Sequence, residues 1–151
     1  MKSSEAGLKF PVLGFTPDRE IWGFPDLDRL TRCGPRTLKD DAQKGMEFID
    51  ADGRRWRVLA IRRIGRAGSV LSLLWIFGPP QSRIEQELER LPAVPLAEVQ
   101  RRAREAMELS KIDYYGDEGQ AEYRSTLKKI EKARSIAMIY DLLQPDTFEP
   151  H

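Results

Sequence analysis

The stretch MEFIDADGRRWRV (46–58) decides the fold prediction, because it places a glycine-containing acidic turn between two segments of strand-like sequence. EFID (47–50) precedes the turn, and RWRVLAIRRI (55–64) follows it with alternating apolar and polar residues. Such alternation is typical of a β-strand, and aspartate followed by glycine tolerates the backbone geometry of a tight turn. The stretch therefore predicts a β-hairpin that turns at Asp52-Gly53. One face of its second strand is predicted to carry Trp56, Val58 and Ala60, and the other Arg57, Leu59 and Ile61.

The acidic centre Asp50-Ala51-Asp52-Gly53 also invites comparison with a calcium loop. An EF-hand loop needs oxygen ligands at its first, third and fifth positions, glycine at the sixth and a bidentate glutamate at the twelfth. Here glycine comes fourth, and Arg54 and Arg55 follow where oxygen ligands are required. The spacing favours the hairpin over a metal site.

The sequence on either side of the hairpin adds further strands. SVLSLLWIF (69–77) is apolar on both faces, which predicts a central strand, and the short glycine-bearing connections favour an antiparallel meander. PVLGF (11–15) and EIWGF (20–24) are predicted as edge strands around a turn. DLDRLTRC (26–33) is predicted as a short helix, and residues 34–45 as irregular.

After Gly78-Pro79-Pro80 the composition becomes helical. A first helix is predicted from Ser82, which has capping-box spacing to Glu85, to Pro92, with Ile84, Leu88 and Leu91 on one face. A second begins at Pro95 and places Leu96, Val99, Ala103 and Ala106/Met107 on one face. A third runs from Asp117 to Pro145, with an apolar stripe of Tyr123, Leu127, Ile130, Ala133, Ala137 and Tyr140.

The predicted fold class is therefore α+β: a small antiparallel meander of about three to five strands, followed by two or three C-terminal helices that pack on it. We expect a single domain over residues 1–151, mainly β in 1–79 and mainly α in 80–145.

Composition narrows the class of protein. With 40% apolar and 32% charged residues and a net charge of +1, the chain of 151 residues fits a globular protein with a charged surface. Cys33 is the only cysteine, so an internal disulfide is impossible and a reducing compartment fits. The N-terminal sequence lacks the apolar core of a secretory signal, and the longest apolar run (70–77) is too short to span a bilayer. We expect a cytoplasmic protein without a membrane contact.

Nothing in the sequence predicts a catalytic, cofactor or metal site. Cys33 has no base beside it, and the only histidine, His151, is the last residue, so neither a nucleophilic pair nor a zinc site can be assembled. The spaced carboxylates Asp26/Asp28, Asp40/Asp41 and Asp50/Asp52 leave a carboxylate-dependent enzyme as an alternative. The leading prediction is a protein that is not an enzyme.

Two stretches are candidate partner-binding surfaces. The first is an arginine cluster on the predicted hairpin, interpreted either as a patch facing RNA, DNA or an acidic protein, or as a charged edge strand that pairs with Glu85, Glu87 and Glu89. The second is IDYYGDEG (112–119), either a binding surface rich in tyrosine or a helix linker whose tyrosines pack on the core. The candidate residues are Arg54, Arg55, Arg57, Arg62, Arg63, Arg66, Tyr114, Tyr115, Asp117 and Glu118.

The segment IWGFPDLDRLTRCGPRTLKDDAQKGMEFIDADGRRWRV (21–58) resembles a pattern in small bacterial immunity proteins of polymorphic or contact-dependent toxin systems. That pattern runs from an aromatic-Gly-Phe step through Leu-Thr-x-Cys and Leu-Lys to Gly-Met-x-x-Ile-Asp-x-x-Gly-x-x-Trp-x-Val. The resemblance implies a protein that binds and neutralises a cognate toxin domain, with no catalytic residues to carry over. A nucleic-acid-associated regulatory module that uses the arginine hairpin is the alternative. Either a monomer or a homodimer fits.

Overall fold

The computed structural model of the protein describes residues 1–67 and 81–145. The described strands form one antiparallel six-stranded sheet in the order β2-β1-β4-β5-β6-β3. They are β1 (Val12–Phe15), β2 (Ile21–Phe24), β3 (Arg32–Cys33), β4 (Glu47–Ile49), β5 (Arg55–Ala67) and β6 (Gln81–Leu91).

Five α-helices lie in the described part of the chain: α1 (Leu27–Leu30), α2 (Pro35–Lys39), α3 (Leu96–Leu109), α4 (Gly116–Lys132) and α5 (Ile136–Leu143). A 3₁₀ turn, Lys111–Asp113, connects α3 to α4. No helix among these is both long and apolar enough to cross a membrane.

Each face of the sheet carries a hydrophobic core cluster. The α3–α5 helices pack on the face formed by Leu13, Phe15 and Ile49, in a core cluster that includes Val99, Ala103, Met107, Tyr123, Ile130, Ile139 and Tyr140. The neighbouring residues in β1 and β4 point to the opposite face, since side chains alternate along a strand. That face carries a second cluster, closed by α1 and the N-terminal segment; it contains Val12, Phe24, Leu30, Met46, Phe48, Trp56, Val58 and Leu88.

The α+β class and most of the predicted strands are confirmed, with a larger strand count than expected. Residues 11–15, 20–24, 47–50 and 55–64 correspond to β1, β2, β4 and β5. The predicted strand 69–77 lies outside the described residues. The short helix predicted over 26–33 is confirmed only for α1, because β3 follows it, and the irregular segment predicted over 34–45 contains α2, which begins at Pro35.

The helix predicted over 82–91 is wrong, because these residues form β6. The apolar spacing of Ile84 and Leu88 suits either a helix or a strand, and the residue that distinguishes them is Gln86, which is fully buried between them. Its Nε2 donates to the Leu30 carbonyl (2.7 Å) and to Gln43 Oε1 (2.9 Å). Because the buried position 86 is polar, the alternation of apolar and polar residues that is typical of a strand is not visible in the sequence. Pairing with β5 outweighs the helix-favouring composition of these residues.

The single helix predicted from Asp117 to Pro145 is in fact α4 followed by α5. Ala133 is extended, and the Ser135 hydroxyl accepts the amide of Met138 (3.1 Å) as the N-cap of α5. The predicted stripe is nevertheless largely buried at Tyr123, Ile130, Ala133 and Tyr140. The prediction for α3 is confirmed, since Val99, Ala103 and Met107 are buried.

The predicted assignment of the β5 side chains to the two faces of the strand is confirmed only up to Val58. A register shift between Val58 and Ala60 marks a β-bulge, and a bulge moves the following residues to the other side of the strand. Ala60 is therefore exposed, whereas Ile61 packs against the Trp56 cluster.

Candidate functional site

The turn between β4 and β5 is built around the buried carboxylate of Asp50. Its Oδ1 accepts the amides of Asp52 (3.0 Å) and Arg54 (3.0 Å), and its Oδ2 accepts the amide of Lys9 (3.1 Å) and Nε of Arg54 (2.9 Å). The Arg54 guanidinium also donates to the Gly7 carbonyl (2.7 Å). Because Asp50 has no exposed surface, these bonds replace the water that its charge would otherwise hold. Asp50 therefore joins the hairpin to the N-terminal segment.

The hairpin prediction at Asp52-Gly53 is confirmed. Gly53 has φ +80, and a Cβ at this position would lie 2.7 Å from the carbonyl oxygen of Val94. The Gly53 carbonyl accepts the Val94 amide (3.0 Å). The turn thus docks on the connection between β6 and α3, whereas the side chain of Asp52 is exposed.

The arginine cluster predicted from the sequence divides into three groups. Arg54 belongs to the Asp50 turn, where its guanidinium also lies over the Trp56 ring at 5.4 Å. Arg55 and Arg57 pair with Glu47 at 3.5 Å and 4.0 Å. The last group, Arg62, Arg63 and Arg66, lies on the part of β5 beyond β4.

The Glu47 carboxylate connects the sheet to α3. Arg102 of α3 donates to Glu47 Oε2 (2.9 Å) and, through Nε, to Glu98 Oε1 (3.0 Å), and Arg101 binds both oxygens of Glu98. The hydrogen bonds from Arg101 and then Arg102 lower the pKa of Glu98 from 4.5 to about 2. These bonds form a charged layer between the helix and the sheet.

A shallow cleft of about 150 Å³ opens beside this layer, lined by Phe15, Thr16, Arg19, Arg101, Arg102 and Glu105. Its guanidinium groups face carboxylates of the chain: Arg19 pairs with Glu105 (3.0 Å), and Arg101 bridges Glu98 and Glu105. Arg102 lies over the Phe15 ring at 5.2 Å. The cleft is thus lined by cations that already bind carboxylates.

The outer arginines of β5 face β6 across the hairpin. Arg62 pairs with Glu85 (3.3 Å), and the Arg63 Nε donates to Ser82 Oγ (3.2 Å). Arg57 reaches Glu89 (3.9 Å) in the same way. The predicted pairing with glutamates is confirmed for Glu85 and Glu89, although these residues belong to a strand rather than to a helix. Glu87 instead accepts the N-terminal amino group (2.6 Å).

The second candidate stretch forms the connection between α3 and α4, which we call the α3–α4 corner and define as residues 108–119. Packing on the core is confirmed for Tyr114 but not for Tyr115, and the binding-surface interpretation stays a prediction. Tyr114 packs edge-on against Tyr123, with ring centroids 5.5 Å apart, and burial is the main cause that raises its pKa. Tyr115 is 83% exposed and Ile112 85% exposed.

Charged residues lie close in the sequence to these exposed apolar side chains. Asp117 and Glu118 lie in the first turn of α4, where negatively charged side chains interact favourably with the helix dipole. Glu108 and Asp113 precede them, and Lys111 is the one cation of the corner sequence. The α3–α4 corner therefore combines exposed apolar side chains with an excess of exposed carboxylates.

Of the residues considered for catalysis, His151 lies outside the described residues, and Cys33 and the aspartates of the described chain have structural surroundings. Cys33 is buried, and burial raises the pKa of its thiol against a smaller opposing effect of Arg29. Asp26 caps α1, Asp28 binds Arg83 (2.8 Å), and Asp40 pairs with Arg36 (3.7 Å). Within residues 1–67 and 81–145, no three His, Cys, Asp or Glu side chains are grouped so as to hold a metal ion.

Sequence reasoning missed the buried Asp50, the Gln43–Gln86 pair and the ion pairs of Glu47 and Glu98. One signal was available for Asp50: an aspartate two residues before an amide it can bind is an Asx-turn, a common way to fix a tight connection. The long-range partners of Glu47 and Glu98 had no local signal. Comparisons of the chain with protein-family models, curated proteins and solved structures found no match.

Proposed function

We propose that the protein is a non-enzymatic binding protein whose α3–α4 corner contacts a basic surface of a protein partner. The observation that carries this proposal is the exposure of two large side chains, Ile112 and Tyr115, next to four carboxylates. Tyrosine is enriched among the side chains that supply most of the binding free energy in protein interfaces, burial of an apolar side chain such as isoleucine adds to it, and nearby charges steer association and select the partner.

The corner is also held by contacts with the helical core, which favours binding. Tyr114 packs into the helical core beside the exposed Tyr115, and the Gln120 side chain is hydrogen-bonded to the Tyr114 carbonyl (2.5 Å). A surface that is already ordered loses less conformational entropy on binding than a mobile one.

The partner that we propose is a toxin domain, and the role is that of an immunity protein that covers the toxin's active site. The resemblance over residues 21–58 motivates this choice. Occlusion needs only shape and charge complementarity, which agrees with a chain in which the candidate nucleophile Cys33 is buried and the carboxylate pairs lie in caps, ion pairs and turns.

Association with nucleic acid has less support. The register places Arg57 and Arg62 on the face of the hairpin that carries Glu85, Glu87 and Glu89, whereas Arg63 and Arg66 lie on the opposite face, so the arginines do not form one basic surface. Phosphate-binding surfaces of proteins are usually much more strongly basic.

The test is co-expression with the product of the adjacent gene, scored by formation of a purified complex and by rescue of growth if that product is toxic. We expect the double variant Ile112→Ser/Tyr115→Ala to weaken the complex by about a hundredfold or more, as loss of two interface anchors does. Leu27→Ser, which removes a large side chain that is 43% exposed elsewhere, is the matched control and retains full binding.

Absence of both complex and protection contradicts the immunity role. A complex that the double variant forms with unchanged affinity contradicts the assignment of the corner. Thermal unfolding of each variant checks that a loss of binding is not a loss of fold.

A further inference from the structure

Strand β5 is much longer than the strand on its outer side. β4 pairs only with residues 55–57. On the same side, the Val58 amide donates to the Met46 carbonyl and the Val58 carbonyl accepts the Gly45 amide. From Leu59 to Ala67, no strand of the described chain pairs with the outer edge of β5, while β6 pairs along its inner edge. We call residues 59–67 the open edge.

The register identifies which backbone groups of the open edge point outward. In an antiparallel pair, facing residues either bond to each other or both point away. On β6, the amides of Leu88 and Ile84 and the carbonyl of Gln86 bond to segments on the far side from β5, so these three residues point away from β5.

The β5 residues that face them are Val58, Arg63 and Ile61, and they must also point away from the pair. Val58 confirms this rule, because both of its backbone bonds run to the outer side. Ile61 and Arg63 therefore present amide and carbonyl groups to the open edge, and Arg66, which faces Ser82, does the same. Arg62 faces Glu85, so its backbone amide and carbonyl point towards β6.

The side chains of the open edge define the chemistry of a partner. Arg62, Arg63 and Arg66 are exposed, Leu59 and Ile64 are 44% and 53% exposed, and no acidic residue occurs in β5. Opposite charges in facing or diagonal positions stabilise paired strands, and like charges destabilise them. An acidic strand fits this edge, whereas a second copy would place arginine next to arginine.

We propose that the open edge of β5 binds an acidic, extended segment of another protein, which adds a seventh strand to the sheet. Such strand addition takes its affinity from main-chain hydrogen bonds and its specificity from side chains at alternate positions. The bulges after Val58 and Arg63 interrupt the regular ladder, so the added strand pairs over short segments around Ile61, Arg63 and Arg66. This inference does not depend on the α3–α4 corner.

The probe is a synthetic peptide as long as the open edge, in which glutamate alternates with valine. A peptide with lysine in place of glutamate is the charge control, and one with proline at alternate positions is the hydrogen-bond control. We expect the acidic peptide to bind about tenfold more tightly than either control. The readout is amide hydrogen exchange: Ile61, Arg63 and Arg66 become protected on binding, while Arg62, already paired with β6, is unchanged.

A pair of variants separates strand addition from simple charge attraction. Arg63→Pro removes an outward amide without removing a bond to β6, and Arg63→Ala removes only the side chain. We expect the proline variant to lose binding and the alanine variant to keep it within a few fold. The exchange measurement on the unmodified protein decides the question even if the proline variant does not fold.

Three outcomes overturn the proposal. Equal binding of the proline-containing peptide would mean that charge alone attracts the ligand. A peptide-free dimer that protects the same amides would make a second copy the occupant. Much tighter peptide binding after replacement of residues 70–77 by a Gly/Ser linker would show that the chain's own segment occupies the edge.

Discussion

Two acidic stretches with glycine, Asp50–Gly53 and Gly116–Gly119, have nearly the same composition and opposite environments. In the first, Asp50 is fully buried and accepts four hydrogen bonds, and Gly53 lies against Val94. In the second, Asp117 and Glu118 are exposed and a Cβ on Gly116 would meet no atom within 4 Å.

The difference separates two uses of the same residue types. A carboxylate whose lone pairs are satisfied inside the protein fixes the chain, and its loss leaves donors unpaired. A carboxylate that faces water beside exposed apolar side chains contributes little to stability and is available to a partner. The two stretches should therefore respond very differently to the same substitutions.

The largest difference is expected between the two aspartates of the first stretch. Asp50→Ala leaves three backbone amides and the Arg54 guanidinium without their acceptor, so we expect a loss of about 3 kcal/mol in the free energy of unfolding. Asp52→Ala, two residues away and exposed, is expected to change it by less than about 0.5 kcal/mol.

Urea unfolding followed by the fluorescence of the tryptophans, among them the buried Trp56, measures both values. Similar losses for the two variants would contradict the central role of Asp50. Asp50→Asn keeps the shape of the side chain but removes its charge, so it should lie between the alanine variant and the unmodified protein.

The two glycines provide the next comparison. Both have positive φ, +80 at Gly53 and +76 at Gly116, so alanine is strained at either position, by about 1 kcal/mol or more. Only at Gly53 would the new Cβ also meet a backbone oxygen, at 2.7 Å. We expect Gly53→Ala to destabilise the protein by at least about 1 kcal/mol more than Gly116→Ala.

Thermal and urea unfolding of the two alanine variants test this difference. A Gly53→Ala variant no less stable than Gly116→Ala would mean that the contact with Val94 relaxes easily. Because the backbone strain is common to both positions, the comparison isolates the close approach of the two chain segments.

The sequence was a good guide where the pattern is local. The hairpin at Gly53, the strands on either side of it and the buried face of α3 follow from alternation, glycine and helical spacing. It was a poor guide where a distant partner decides. The side chain of buried Gln86 donates to the Leu30 carbonyl and to Gln43, and no local pattern predicts these partners. The composition of β6 by itself therefore suggested a helix.

The candidate site shows the same limit. Six arginines close together in the sequence suggested one patch, but bulges and alternation send them to different faces of β5, where Asp50, Glu47 and Glu85 bind different members. Likewise, nothing local distinguishes Tyr114, which packs on Tyr123, from Tyr115, which is exposed. Register and packing, rather than proximity in the sequence, decided which residues share a surface.

Glu98 is intermediate between the buried Asp50 and the exposed carboxylates of the α3–α4 corner, since it is partly exposed but bound by Arg101 and Arg102. Its pKa of about 2 in the folded protein lies below the ordinary value of 4.5. A lowered pKa stabilises the fold above pH 4.5, and this contribution disappears as the pH falls towards 2. Because the ion pair is partly in water, we expect it to contribute at most about 1 kcal/mol.

Glu98→Gln should therefore lose little stability at neutral pH and should show a shallower fall in stability between pH 4.5 and 2 than the unmodified protein. Arg101→Gln removes the main cause of the lowered pKa and should reduce the slope as well. Unfolding measured across this pH range tests both variants. If both keep the slope of the unmodified protein, the arginines do not hold Glu98, and it belongs with the solvated carboxylates of the α3–α4 corner rather than with Asp50.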